Sequence, residues 1–101
     1  MAFQIRFSPK SVEDIEAIFE YYILINQRAA EEIYSSIILR AETLEEFAER
    51  GRMVPELLDE GIKKYRELIE GNFRIIYRIS ENYVEVVRVI DSRQLFDMKL
   101  V

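Results

Sequence analysis

Two short turn signals divide the second half of this chain into three strand-like runs. Gly71-Asn72 and Glu81-Asn82 separate the runs, and each pair is short enough for a β-hairpin. The pattern predicts strands over residues 63–69, 73–79 and 83–90. Strands joined by two tight turns form an antiparallel meander, and one face of such a sheet needs an apolar cover.

The first half of the chain is predicted to form the helices that cover this face. Residues 3–7 alternate apolar and polar side chains, which is the period of a half-buried strand. Helical periodicity follows over residues 11–25, with Ser11 as the expected N-cap, and again over residues 27–49. Asn26 is the expected break. Because the link is so short, the two helices are predicted to form an antiparallel hairpin.

The loop over residues 50–61 is the one long irregular stretch. Gly51 is expected to end the second helix in a left-handed conformation. Pro55 excludes a continuous helix, and Glu56-Leu57-Leu58 is long enough for a single turn. The last ten residues, 92–101, show no clear period and fit a strand extension, a short helix or a loose tail.

A two-residue turn at Glu81-Asn82 sets the register of the last hairpin. It places Ile79 opposite Val84, Tyr77 opposite Val86 and Ile75 opposite Arg88. The face to be covered by the helices then carries Ile75, Tyr77, Val84 and Val86.

The other face of that hairpin carries two arginines with different expected roles. Arg78 lies opposite Glu85, an exposed pair worth less than ~1 kcal/mol, so we interpret it as structural. Arg74 lies opposite Val89 in this register. Since it then has no obvious acid partner, Arg74 is the better functional candidate.

Composition limits the chemistry. The chain has 101 residues, half of them hydrophobic, which predicts one globular domain over residues 1–101. It has no Cys and no His, so disulfides, thiolate nucleophiles, imidazole bases and the usual zinc ligand sets are excluded. No cofactor is expected. No apolar run approaches the ~20 residues that span a bilayer, and no signal sequence is evident. We expect a soluble cytoplasmic protein without membrane contact.

The net charge of −5 is unevenly distributed. Residues 1–60 carry 6 basic and 13 acidic side chains, a net charge of −7, whereas residues 61–101 carry 8 basic and 6 acidic ones, a net charge of +2. This suggests an acidic helical side and a mildly basic sheet side, although ordinary solvated faces explain it equally well.

A set of short segments, in order and spacing, resembles the RelE/ParE toxin superfamily and is closer to its ParE branch. The segments are Gly51-Arg52, Val54-Pro55-Glu56-Leu57, Gly61-Ile62, Tyr65-Arg66-Glu67-Leu68, Phe73-Arg74-Ile75-Ile76-Tyr77, and Val89-Ile90-Asp91 with Arg93. The resemblance agrees with the α+β class predicted above: an N-terminal strand, a helical hairpin and a three-strand meander, with the helices on one face. It also implies that the N-terminal strand joins the sheet between later strands.

The resemblance implies the toxin of a type II toxin-antitoxin system. A ParE-like toxin is expected to bind and poison DNA gyrase and to be neutralised by a cognate antitoxin from an adjacent gene. The alternatives are a RelE-like enzyme that cleaves mRNA on the ribosome, or a homologue that binds its partner without toxicity. Intrinsic catalysis is expected only for the RelE-like alternative.

For the RelE-like alternative, the resemblance assigns Arg66, Arg74 and Arg93 as catalytic residues around the scissile phosphate. Guanidinium groups suit phosphate, but arginine stays protonated and does not act as a base. The tail position that often carries an aromatic residue or His holds Met98 or Lys99 here. The nuclease set is therefore incomplete.

Ile23, Leu24 and Ile25 exceed the apolar stripe that one helix needs. They either continue the core or form a docking surface for an antitoxin or a second copy. The expected assemblies are a homodimer or a heterotetramer with the antitoxin.

Overall fold

The computed structural model describes residues 2–97 and residue 99. In chain order its elements are strand β1 (Gln4–Phe7), helices α1 (Pro9–Ile23) and α2 (Gln27–Glu42), a 3-10 turn (Thr43–Glu45), strand β2 (Arg52–Met53), helix α3 (Pro55–Leu58), and strands β3 (Tyr65–Glu70), β4 (Phe73–Ile79) and β5 (Tyr83–Asp91). The predicted α+β class is confirmed, with the helical hairpin packed on one face of the meander. The short strand β2 was not predicted. Within the described residues, no helix combines the length and apolar character needed to cross a membrane.

The five strands form one sheet in the order β1-β5-β4-β3-β2. Strand β1 lies at an edge and runs parallel to β5, with Ile5 opposite Val84. The prediction that it lies between later strands is wrong. Tight hairpins join β3 to β4 and β4 to β5 as direct neighbours, so β1 can pair with β5 only along its outer edge.

The ends of the helices are set by side-chain caps. Ser8, rather than Ser11, is the N-cap of α1: its Oγ accepts a hydrogen bond from the Ser11 backbone N–H at 3.1 Å. Pro9 follows as the first helical residue, where a missing N–H costs nothing. The predicted break at Asn26 is confirmed, since its Oδ1 accepts from the Ala29 N–H at 3.0 Å. Helix α2 gives way to the 3-10 turn earlier than predicted.

Gly51 is required for close packing and does not end a helix. The described glycines with positive φ are Gly61 and Gly71, so the expected left-handed conformation at Gly51 is wrong. A Cβ at this position would lie 2.5 Å from the carbonyl oxygen of Glu67 and 2.5 Å from Tyr77 Oη. The Tyr77 hydroxyl accepts from the Gly51 N–H at 3.0 Å and donates to the Ala48 carbonyl at 2.7 Å. Burial raises the pKa of this phenol.

A β-bulge changes the predicted register halfway along the last hairpin. Tyr77 pairs with Val86 as predicted, but Ile76 pairs with Arg88, which leaves Val87 as an extra residue on β5. Ile75 is therefore opposite Val89 rather than Arg88, and Arg74 is opposite Ile90 rather than Val89. Val89 consequently packs in the core under the helices. The predicted helix-facing residues are confirmed.

Buried side chains cover both faces of the sheet. The larger cluster lies between the sheet and the α1-α2 hairpin and contains Ile37, Leu44 and Tyr77. A smaller cluster lies on the opposite face, which we call the second face; it contains Val54, Leu57, Tyr65, Ile76, Val87, Ile90 and Phe96. Helix α3 and the C-terminal segment supply Leu57 and Phe96 to this cluster, so they cover part of the second face.

Candidate functional site

Arg74 projects from β4 into the second face, where its side chain is only 6% exposed. Its Nε donates to Glu67 Oε1 at 2.6 Å. Its two Nη atoms donate to the two carboxylate oxygens of Glu56, at 2.6 and 2.8 Å. The expectation that Arg74 lacks an acid partner is wrong. Neither carboxylate lies directly opposite it: Glu67 is diagonal to it on β3, and Glu56 comes from α3.

Glu67 lies between two arginines and is fully buried. It accepts from Arg74 on one oxygen and from Arg52 Nε, at 2.6 Å, on the other. Arg52 is largely exposed. The resulting ion-pair network contains two positive and two negative groups, so its charges cancel. Its members are Arg52, Glu67, Arg74 and Glu56.

Both ends of the Arg74–Glu56 pair are stabilised in their charged forms. The hydrogen bonds from Arg74 lower the pKa of Glu56 from 4.5 to about 2 against the opposing effect of burial. Hydrogen bonding to Glu56 in turn raises the pKa of Arg74. The pair is therefore ionised at neutral pH.

The same two side chains hold the C-terminal segment against the second face. Arg74 Nη1 donates to the Gln94 carbonyl at 2.8 Å, and Glu56 Oε2 accepts from the Phe96 N–H at 2.9 Å. The Phe96 ring is 1% exposed and meets Tyr65 edge to face. Residues 92–97 thus form a docked irregular segment and not a strand, a helix or a loose tail. Lys99 is exposed, and Met98 lies outside the described residues.

The other two arginines assigned to a nuclease site have separate contacts. Arg66 Nη1 donates to the carbonyls of Gly51, at 2.9 Å, and Glu49, at 3.3 Å, beside β2. The Arg93 side chain is 90% exposed and pairs with Asp91 at 2.9 Å. Its hydrogen bonds lower the pKa of Asp91 to about 2. In the described part of the chain, Arg66, Arg74 and Arg93 share no hydrogen-bond partner.

The predicted partner-binding residues lie at the tip of the helical hairpin. Ile23 is the last residue of α1 and is partly buried. Leu24 is 86% exposed and Ile25 is 66% exposed. These two side chains therefore offer apolar surface to solvent rather than to the core.

Sequence patterns contain little sign of the charge network. A carboxylate at Glu67, between the apolar residues of a strand, was the available signal, because buried charges need partners. Asp14 was also missed: it accepts from Arg88 Nε at 2.7 Å and from the Val89 N–H at 2.9 Å, contacts that span 74 and 75 residues of sequence. Local patterns carry no information about such distant contacts.

The charged groups of this site neutralise one another within the chain. Arginine is a poor base, and the chain contains no histidine. Among the described residues, no group of three or more Asp and Glu side chains is placed to hold a metal ion. Arg74 already uses its Nε and both Nη atoms in contacts within the chain.

The fold and the internally neutralised site define a small α+β domain with a helical hairpin on one face of a five-stranded sheet. A family model described as the ParE toxin of the type II toxin-antitoxin system parDE matches residues 5–96. The chain therefore belongs to the ParE toxin family of type II toxin-antitoxin systems.

A solved structure has a similar fold. The chain is similar to a chain in the structure of the chromosomal ParDE TA system from P. aeruginosa, with a TM-score of 0.73 and 19% sequence identity. The match covers 89% of this chain and 96% of that chain. No curated protein matches the sequence significantly.

Proposed function

We propose that this chain is a ParE-type toxin that binds and poisons DNA gyrase and is neutralised by a cognate antitoxin encoded by an adjacent gene. The proposal rests on membership of the ParE toxin family and on one structural observation. Arg74, one of the three arginines that the RelE-like alternative would place around the scissile phosphate, is engaged by Glu56 and Glu67. Because gyrase acts on DNA, we expect this activity in the cytoplasm.

The engagement of Arg74 argues for binding rather than cleavage. To neutralise a scissile phosphate, Arg74 would have to leave two carboxylates and the Gln94 carbonyl. Glu67 would then remain buried with Arg52 as its partner, and removing one member of a buried ion pair is costly. RNA cleavage also requires a group that accepts a proton, and the three arginines do not provide one.

The surface at the helical tip supports an antitoxin partner. Leu24 and Ile25 are neighbouring apolar side chains at the tip of the helical hairpin, 86% and 66% exposed. A disordered antitoxin segment that orders on binding would bury them. The oligomeric alternatives are a homodimer and a heterotetramer with the antitoxin.

Expression with and without the neighbouring gene tests this proposal. We expect the chain alone to stop growth, the adjacent gene product to restore it, and affinity-tagged chain to retain gyrase when the antitoxin is absent. Arg93→Ala is the matched variant, because Arg93 is exposed and its loss should leave the fold intact. Retained toxicity in this variant supports gyrase poisoning. Lost toxicity with ribosome association would favour the RelE-like alternative, and lack of toxicity altogether would indicate a homologue that only binds its partner.

A further inference from the structure

A second group of cationic side chains lies around Tyr83 at the start of β5. This is the end of the sheet opposite to Arg74. The Cζ of Arg6, from β1, lies 4.0 Å from the centre of the Tyr83 ring. The Cζ of Arg78, from β4, lies 5.8 Å from the same centre, and its Nη2 donates to Tyr83 Oη at 3.4 Å. The edge strand and the last hairpin thus bring two guanidinium groups to one phenol.

Arg6 differs from most arginines of this protein because it forms no ion pair with a carboxylate among the described residues. Seven of the ten arginines form an ion pair with a carboxylate within the described residues. Arg6 does not; its side-chain hydrogen bonds go to Gln4 Oε1 at 3.2 and 3.4 Å. Glu85 is opposite both Arg6 and Arg78 but pairs with Arg78, at 2.9 Å. The group therefore keeps an excess of positive charge although the chain has a net charge of −5.

The surroundings of the Tyr83 hydroxyl favour negative charge on oxygen. Hydrogen bonds from Ser80 and then Arg78 lower the pKa of this phenol. The Arg78 guanidinium is directed at the phenol oxygen, 3.4 Å away. Donors of this kind are the ones that bind oxyanions.

We infer that Arg6, Arg78, Ser80 and Tyr83 form a binding site for the phosphate group of a nucleotide. The guanidinium edges and hydroxyl groups bind the phosphate oxygens, and the base stacks on the Arg6–Tyr83 pair. A carboxylate ligand would gain the hydrogen bonds but not the stacking. The site uses none of Arg66, Arg74 and Arg93, and it is independent of gyrase as the target.

The bound phosphate could belong to a free nucleotide or to a single nucleic-acid strand. A titration distinguishes these two ligands. Backbone amide shifts of the full chain would be followed at low salt with inorganic phosphate, a mononucleotide and a single-stranded oligonucleotide. We expect shifts at residues 6, 78, 80 and 83, with tighter binding of the mononucleotide than of inorganic phosphate. Still tighter, strongly salt-dependent binding of the oligonucleotide identifies a strand as the ligand. Equal affinity for the two nucleotide ligands identifies the free nucleotide.

Surface variants give the site-specific control. Arg6→Gln should weaken nucleotide binding about 10-fold, since it removes a charged contact, and Tyr83→Leu should remove the advantage of nucleotide over inorganic phosphate. Arg28→Gln is the matched control, because Arg28 is an exposed arginine on α2 that pairs with Glu32. Absence of shifts with all three ligands overturns the inference. An equal loss of affinity in Arg28→Gln overturns it as well, because the binding would then follow overall charge.

Discussion

Arg74 Nε lies 2.6 Å from Glu67 Oε1, and both side chains are almost completely buried. Burying a charged pair costs desolvation energy that the mutual attraction only partly recovers. Arg52 and Glu56 extend the pair into a chain that satisfies the remaining oxygens and N–H groups. The network ties β3, β4, α3 and the C-terminal segment together on the second face.

Replacing Arg74 with alanine should destabilise the fold strongly. Glu67 would keep only Arg52, and we expect the free energy of unfolding to fall by about 3 kcal/mol, at the lower end for a broken buried pair. Urea unfolding would measure it. Arg78→Ala is the control: it breaks the partly exposed Arg78–Glu85 pair and should cost less than ~1 kcal/mol. Equal effects of the two substitutions would show that the Arg74 network is not structural.

The low pKa of Glu56 predicts a specific acid dependence of stability. Its pKa is about 2 in the folded chain against 4.5 ordinarily, so its ionised form stabilises the fold above pH 4.5, and this contribution is lost as the pH falls from 4.5 to 2. The wild type should exceed Glu56→Gln in stability at pH 6, and the difference should shrink across that window. Unfolding curves at a series of pH values give the measurement.

Glu31→Gln is the control for this pH series, because Glu31 is an exposed residue of α2. Its stability relative to the wild type should change little across the same window. A constant difference between the wild type and Glu56→Gln from pH 6 to pH 2 would contradict the assigned ion pair.

Gly51→Ala should destabilise the fold by about 3 kcal/mol, the upper part of the range for overpacking. The new Cβ would meet the Glu67 carbonyl oxygen, which is part of the sheet and has little freedom to move. Thermal unfolding measures the effect. Gly71→Asn is the control, since Gly71 has a φ of 57° and open space around it, and asparagine tolerates this conformation. A Gly51→Ala variant as stable as Gly71→Asn would rule out the close packing.

The helices, strands and turns that depend on local signals could be predicted from the sequence. Features that depend on contacts between distant residues could not. The turn pairs at Gly71-Asn72 and Glu81-Asn82 and the helix break at Asn26 depend on local signals, and all three are confirmed. The bulge at Val87 was not predictable, because an apolar residue there fits either register. The partners of Arg74 were missed for a related reason: Glu56 reaches it only after α3 folds over the second face.

Leu24→Glu should weaken the association with the antitoxin while leaving the fold intact. Leu24 is 86% exposed, so a charged side chain costs little in the isolated chain but is unfavourable in an apolar interface. The association would be measured from the molecular mass of the protein in solution, with and without the neighbouring gene product. Leu39→Glu is the control, since Leu39 is 63% exposed on α2. Identical complexes for Leu24→Glu and the wild type would remove the helical tip from the interface.

A supercoiling assay tests most directly whether the protein poisons gyrase by binding, without breaking a bond. Purified chain would be added to gyrase and relaxed plasmid, beside a parallel reaction with ribosomes and mRNA. We predict loss of supercoiling at stoichiometric toxin, an equal loss with Arg93→Ala, and intact mRNA. Unaffected gyrase together with mRNA cleavage on ribosomes that disappears in Arg93→Ala would contradict the account.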